Sequence, residues 1–125
     1  TGDIYTAADT EYSGSSTITG WSGTPTSDIH VKKVGRTVFV SFNIDGTSDS
    51  TSSSFTVPYS AQTVNPTVYR SALAITYDNG AYDTEQGLAS IASGASTVVL
   101  NSGSNGNWTA SGSKQVSGQL WYETA

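Results

Sequence analysis

From Thr37 to Asp45 the chain alternates strictly. Val38, Val40, Phe42 and Ile44 fall on one side, and Phe39, Ser41 and Asn43 on the other. This spacing fits an extended strand rather than a helix, in which residues three and four apart share a side. The segment before it, Ile29 to Val34, alternates too, with Ile29, Val31 and Lys33 against His30, Lys32 and Val34. Gly35 and Arg36 then join the two strands in a tight hairpin. No window of helical length keeps apolar residues at helical spacing without Gly, Pro or dense Ser and Thr.

The rest of the chain repeats this short-strand grammar. Gly46 to Ser53 reads as a polar loop, and Phe55 and Val57 form a short strand ended by Pro58. A longer strand is expected from Val68 to Tyr77, with Leu73, Ile75 and Tyr77 alternating against Ala72, Ala74 and Thr76. Asp78-Asn79-Gly80 is a turn signal. Gln86 to Ala92 and Thr97 to Leu100 read as a hairpin hinged at Ser93 and Gly94, followed by a loop from Asn101 to Asn107. Strands are expected at Trp108 to Ser111 and at Gln115 to Tyr122. In the last, Val116, Leu120 and Tyr122 share one face and Gln119 and Trp121 the other. Many short strands at turn-like spacing predict an all-β fold: an antiparallel β-sandwich, jelly-roll-like, as one domain over residues 1–125.

Composition separates this reading from disorder. Charged residues are only 12% of the chain, yet it holds three Trp, seven Tyr and three Phe. Disordered segments have the opposite balance. Ten acidic against five basic residues give a formal charge of −5, which argues against a nucleic-acid partner. There is no cysteine, so packing or oligomerisation must hold the chain together. No stretch approaches the roughly 18 apolar residues of a membrane span, and no membrane insertion is expected.

The search for catalytic chemistry finds little. Asp28 and His30 share a strand face, an arrangement that can orient an imidazole, but no serine sits in a nucleophile elbow. Ser111-Gly112-Ser113-Lys114 has Ser-x-x-Lys spacing in a Gly-rich turn, where no helix brings Lys beside Ser. Asp78, Asp83 and Glu85 lie in a polar turn region, without the opposed pair that glycoside hydrolysis needs. One His and no Cys disfavour a transition-metal site. The expectation is no enzyme, no cofactor and no metal.

Two loop groups have the chemistry of a binding surface. Tyr77, Asn79, Tyr82, Asp83 and Gln86 form one; Asn101, Asn105, Asn107 and Trp108 form the other, and Trp21 stands in a Gly/Ser/Thr/Pro loop. Aromatic faces beside amides suit sugar rings, and such loops also suit protein surfaces. The commoner place for such Tyr and Trp residues is a core or a subunit interface. Phe39 and Trp121 occupy the polar faces of their strands. A bulky group on an outer face calls for a cover, and an oligomer interface is the simplest one.

The run from Trp21-Ser-Gly-Thr through Ile29-His-Val-Lys-Lys-Val-Gly-Arg-Thr-Val-Phe-Val-Ser-Phe-Asn-Ile-Asp-Gly-Thr to Phe55-Thr-Val-Pro58 resembles a module near the C-termini of tailed-bacteriophage virion proteins. These are tail fibres, tail needles and related appendages. The ending, Trp108-Thr-Ala-Ser-Gly-Ser-Lys-Gln-Val-Ser-Gly-Gln-Leu-Trp-Tyr-Glu123, resembles the closing strands of such modules. Residues 61–96 carry no such likeness. The resemblance implies a β-sandwich at the tip of a longer chain, on the virion surface, commonly a homotrimer. It would bind a host cell-surface glycan or protein receptor, or cap the appendage. A capsid-decoration domain and a carbohydrate-binding module of a hydrolase are the alternatives.

Overall fold

The computed structural model describes residues 8–64, 69–103 and 107–125. Among the described residues there is no helix. The strands are β1 (Ala8–Glu11), β2 (Ile18–Thr19), β3 (Thr26–Val34), β4 (Thr37–Thr47), β5 (Ser53–Thr56), β6 (Tyr69–Asp78), β7 (Ala81–Tyr82), β8 (Gly87–Ala92), β9 (Thr97–Asn101) and β10 (Ser113–Glu123). They pair antiparallel in the order β1-β3-β4-β10-β6-β8-β9-β5-β2, with β7 appended to β6. The all-β antiparallel architecture is the one the alternation calls for. The two layers, however, are one continuous sheet curled over on itself. Phe42 of β4 and Phe55 of β5 are separated by four strands along the ladder, yet their ring centroids lie 5.2 Å apart.

The inner face is built by the expected rows. Val38, Val40, Phe42 and Ile44 of β4 pack with Ile29 and Val31 of β3 and with Val116, Leu120 and Tyr122 of β10. Phe55, Ala89, Ile91, Val98 and Leu100 close the core from the other half. Each such aliphatic side chain taken fully from water contributes about 1.5–3 kcal/mol. The β6–β7 connection places Asn79 at φ 52° and Gly80 at φ 90°. Two left-handed residues in succession give a turn whose twist matches that of the strands, and Asn-Gly is the sequence that adopts it at least cost.

On β6 the two faces are reversed in size. Ala74 and Thr76 point inward and are buried, while Leu73 is 64% and Ile75 58% exposed. The reason is local crowding. Phe42 lies over Gly118 of β10, the residue paired with Ala74. A Cβ added at Gly118 would stand 3.1 Å from the Phe42 ring and 3.4 Å from the Ala74 Cβ. Large residues on the inner side of β6 have no room there.

Trp108 to Ser111 forms no strand, contrary to expectation. One backbone bond and several side-chain bonds hold this segment instead of a ladder. Trp108 donates from its backbone to Thr51 O (3.0 Å) and from its indole to Leu100 O (3.0 Å). Asp78 accepts from the Thr109 backbone (3.2 Å) and hydroxyl (3.1 Å). Val68, the expected first residue of β6, lies outside the described residues.

The sheet also forks. β10 pairs with β6 only as far as Gly118–Ala74. Beyond that point Gln119 to Glu123 stay with β4, and Leu73 back to Tyr69 stay with β8. Residues 61–62 hydrogen-bond across the far end of the gap, Gln62 N to Glu123 O and Ala61 N to Ala95 O, both at 2.8 Å.

Candidate functional site

The outer face of β3, β4 and β10 is a grid fixed by strand register. Lys32, Phe39 and Trp121 form one row; His30, Ser41 and Gln119 form the next. At the fork this face opens into a groove of about 580 Å³. Trp121 and Phe39, 58% and 45% exposed, stand on one side with Lys32, and Gln119, Ser41 and His30 line the adjacent row. Ser71 of β6 is on the opposite bank, and Val40, Ala72 and Leu120 show at the floor. Phe39 and Trp121 thus lie on the outer face, as the alternation predicts, and are directly paired across β4 and β10.

A second exposed apolar strip runs over β6, β8 and β9. Leu73 is paired with Leu88, Ile75 lies two residues along β6, and Val99 lies on β9 in the next row, paired with Ser90 and diagonal to Leu88; all four are exposed. At its end Tyr77 and Tyr82 meet edge to face, with centroids 4.9 Å apart and planes at 80°. The first expected loop group is therefore partly assembled. The Tyr pair meets, with Asn79 exposed in the turn between them. Asp83 turns away, accepting from the Thr76 hydroxyl (2.5 Å) and Gly103 N (3.0 Å). Gln86 is exposed farther along.

The second group is not assembled. Trp108 is 2% and Trp21 5% exposed, so neither offers a face to a ligand. Asn107 is exposed, and Asn105 lies outside the described residues. Trp21 and Trp108 serve Lys114 instead. The Lys114 ammonium lies 4.8 Å from the Trp21 ring and 5.1 Å from the Trp108 ring. It donates to Gly20 O (2.7 Å), Ser53 Oγ (2.7 Å) and Ser50 O (3.3 Å). The Trp21 indole returns a hydrogen bond to Lys114 O at 3.1 Å. Three acceptors and two aromatic faces are what a buried ammonium needs in place of water. Burial still pushes its pKa down to about 8, against the opposing pull of Asp49 and Asp78. The Lys of the Ser-x-x-Lys run is thus sealed in the interior.

His30 is exposed, with Nε2 3.0 Å from Asp28 and 3.6 Å from Glu11. Glu11 also accepts from Ser13, which holds its carboxyl below the ordinary carboxylate range. The pairing of Asp28 with His30 on one strand face is as the spacing predicts.

The groove residues were individually legible. Phe39 and Ser41 share a face by alternation, as do Gln119 and Trp121. What the alternation lacks is the pairing of β4 with β10, some 75 residues apart. No protein-family profile matches the chain, and no curated protein matches it.

Proposed function

We propose that this chain is a non-catalytic, self-associating binding module of the virion-appendage kind, working as a homotrimer that contacts a host cell-surface glycan. One observation carries the reading: the outer strip of Leu73, Ile75, Leu88 and Val99, open to water on a sheet whose inner face is fully packed. Single exposed apolar residues are ordinary, but a contiguous strip on paired strands marks an association surface. The sequence expectation set the interface at Phe39 and Trp121. The strip on β6, β8 and β9 runs diagonally over three successive rows, Ile75 beside Ser117, Leu73 and Leu88 beside Asn101, and Val99 beside Ser90, while Phe39 and Trp121 stand beyond the fork on β4 and β10. Three copies around an axis would cover their strips mutually and display three equivalent surfaces, which raises the strength of weak contacts.

Light scattering on the purified chain tests this. The expected mass is that of three copies. Replacing Leu73 and Ile75 together by Lys should return it to one copy with the fold intact. A wild-type chain that stays monomeric at micromolar concentration removes the reading.

A further inference from the structure

We propose that the groove at the β10–β6 fork is a subsite for one uncharged pyranose ring, stacked on Trp121. This rests on the glycan-contact reading above and locates that contact away from the loops.

The geometry follows from register. Trp121 and Phe39 lie in one row, and Gln119 and Ser41 in the next. Successive rows on a sheet face are about 6.8 Å apart. A sugar ring lying against the Trp121 indole therefore extends its rim hydroxyls over the Gln119 amide and the Ser41 hydroxyl. The amide both donates and accepts, as a hydroxyl requires. Ser71 meets the ring from the far bank, which exists only because β6 has left β10. The apolar residues Val40, Ala72 and Leu120 at the floor add van der Waals contact to the edge of the ring. At about 580 Å³ the groove lies within the range of small-molecule sites, about 300–1,000 Å³.

Charge selects an uncharged sugar. Lys32 and His30 are the basic groups of the groove, but His30 is held by Asp28 and Glu11. The local charges largely cancel, and the chain as a whole carries −5, which repels polyanions at a distance.

The chain contains its own reporter. Of its three tryptophans, Trp21 and Trp108 are buried and Trp121 is open. Tryptophan emission is titrated with the methyl glycosides of glucose, galactose, mannose and N-acetylglucosamine. At least one should shift the emission to the blue and protect it from acrylamide. Saturation-transfer NMR with that glycoside should lose its signal in Trp121→Ala. Gln119→Ala should weaken binding about fivefold, as expected for one lost hydrogen bond. Both side chains are exposed, so both variants should fold.

No response to any of the four at about 100 mM, a concentration well above millimolar dissociation constants, overturns the subsite. So does a response to N-acetylneuraminate alone, or binding that survives in Trp121→Ala. If the sugars fail while the chain remains a trimer, the subsite falls and the appendage reading stands. If the chain is also monomeric, both fall.

Discussion

The ammonium of Lys114 and the hydroxyl of Ser53 meet at 2.7 Å in a chamber that gives the lysine no exposure to solvent. β10 supplies the charge, β5 the hydroxyl, and the loops after β2 and β4 supply two carbonyls. Three stretches of chain, around Gly20, Ser50 to Ser53 and Lys114, are tied at one point in the interior.

Replacing Lys114 by Met retains an apolar stem but removes the ammonium from Gly20 O, Ser50 O and Ser53 Oγ. Gly20 O keeps the Asp49 N–H and Ser50 O keeps the Ser48 hydroxyl, both at 3.2 Å, so the loss is that of the charge-assisted bonds rather than of every donor. Because the variant also relieves the desolvation that lowers the Lys114 pKa, it should lower stability by only about 1–2 kcal/mol, read as a fall in the urea midpoint with an unchanged slope.

Stability should peak near pH 10. Lys114 has a folded pKa of about 8 against an ordinary 10.5. Between those values the unfolded chain binds more protons, so stability rises with pH across that window. Tyr122 works the other way. Burial, and secondarily Tyr59, raise its pKa above the ordinary 10. Above pH 10 the unfolded chain loses that proton first, and stability falls. Urea midpoints from pH 7 to 12 should show both limbs. Lys114→Met should flatten the rise and Tyr122→Phe should remove its share of the fall.

The reversed faces of β6 give opposite sensitivities at adjacent positions. Ala74→Leu must push a larger group toward Phe42 and Gly118, and overpacking of this kind costs about 1–3 kcal/mol. Leu73→Ser should change monomer stability by no more than about 0.5 kcal/mol. Thermal melts of the two variants, each made in an Ile75→Lys background and confirmed monomeric by light scattering, distinguish them. The reverse order of sensitivities would mean that β6 is turned over.

Asp78 is the clip that stands in for a strand at Trp108 to Ser111. Asp78→Ala removes the acceptors of the Thr109 backbone and hydroxyl. A loss of about 1–2 kcal/mol is expected. Amide exchange at Thr109 should accelerate, while that of β4 keeps its protection.

How far the sequence reveals this fold depends on contrast between faces. On β4 the faces differ sharply, Val, Val, Phe and Ile against Phe, Ser and Asn, and its strand and orientation are plain. On β6 both faces are apolar, so the strand is legible but its orientation is not. That orientation depends on Phe42, a residue of another strand. Trp21 and Trp108 sit among Gly, Ser, Thr and Asn, and such neighbours read as surface loop. Both flank the Lys114 ammonium, which lies 93 residues beyond Trp21 in sequence. Lys114 did leave one trace. It is in phase with Val116, Leu120 and Tyr122 on β10, so alternation places it on the inner face, but its charge argues for solvent. The groove depends on where two strands part company, which no local pattern encodes.

The position of β10 has a consequence for how the protein is made. It is the last described strand in chain order, yet it lies between β4 and β6 and carries both Lys114 and Tyr122. As the polypeptide leaves the ribosome, β3–β4 and β6–β8–β9 can each zip up by near neighbours, whereas β5 joins β9, and β2 joins β5, over about 40 residues. They remain two half-finished ribbons with bare edges until β10 slots between them. Assembly should therefore be slow and governed by that late insertion, as loop closure over long separations dictates.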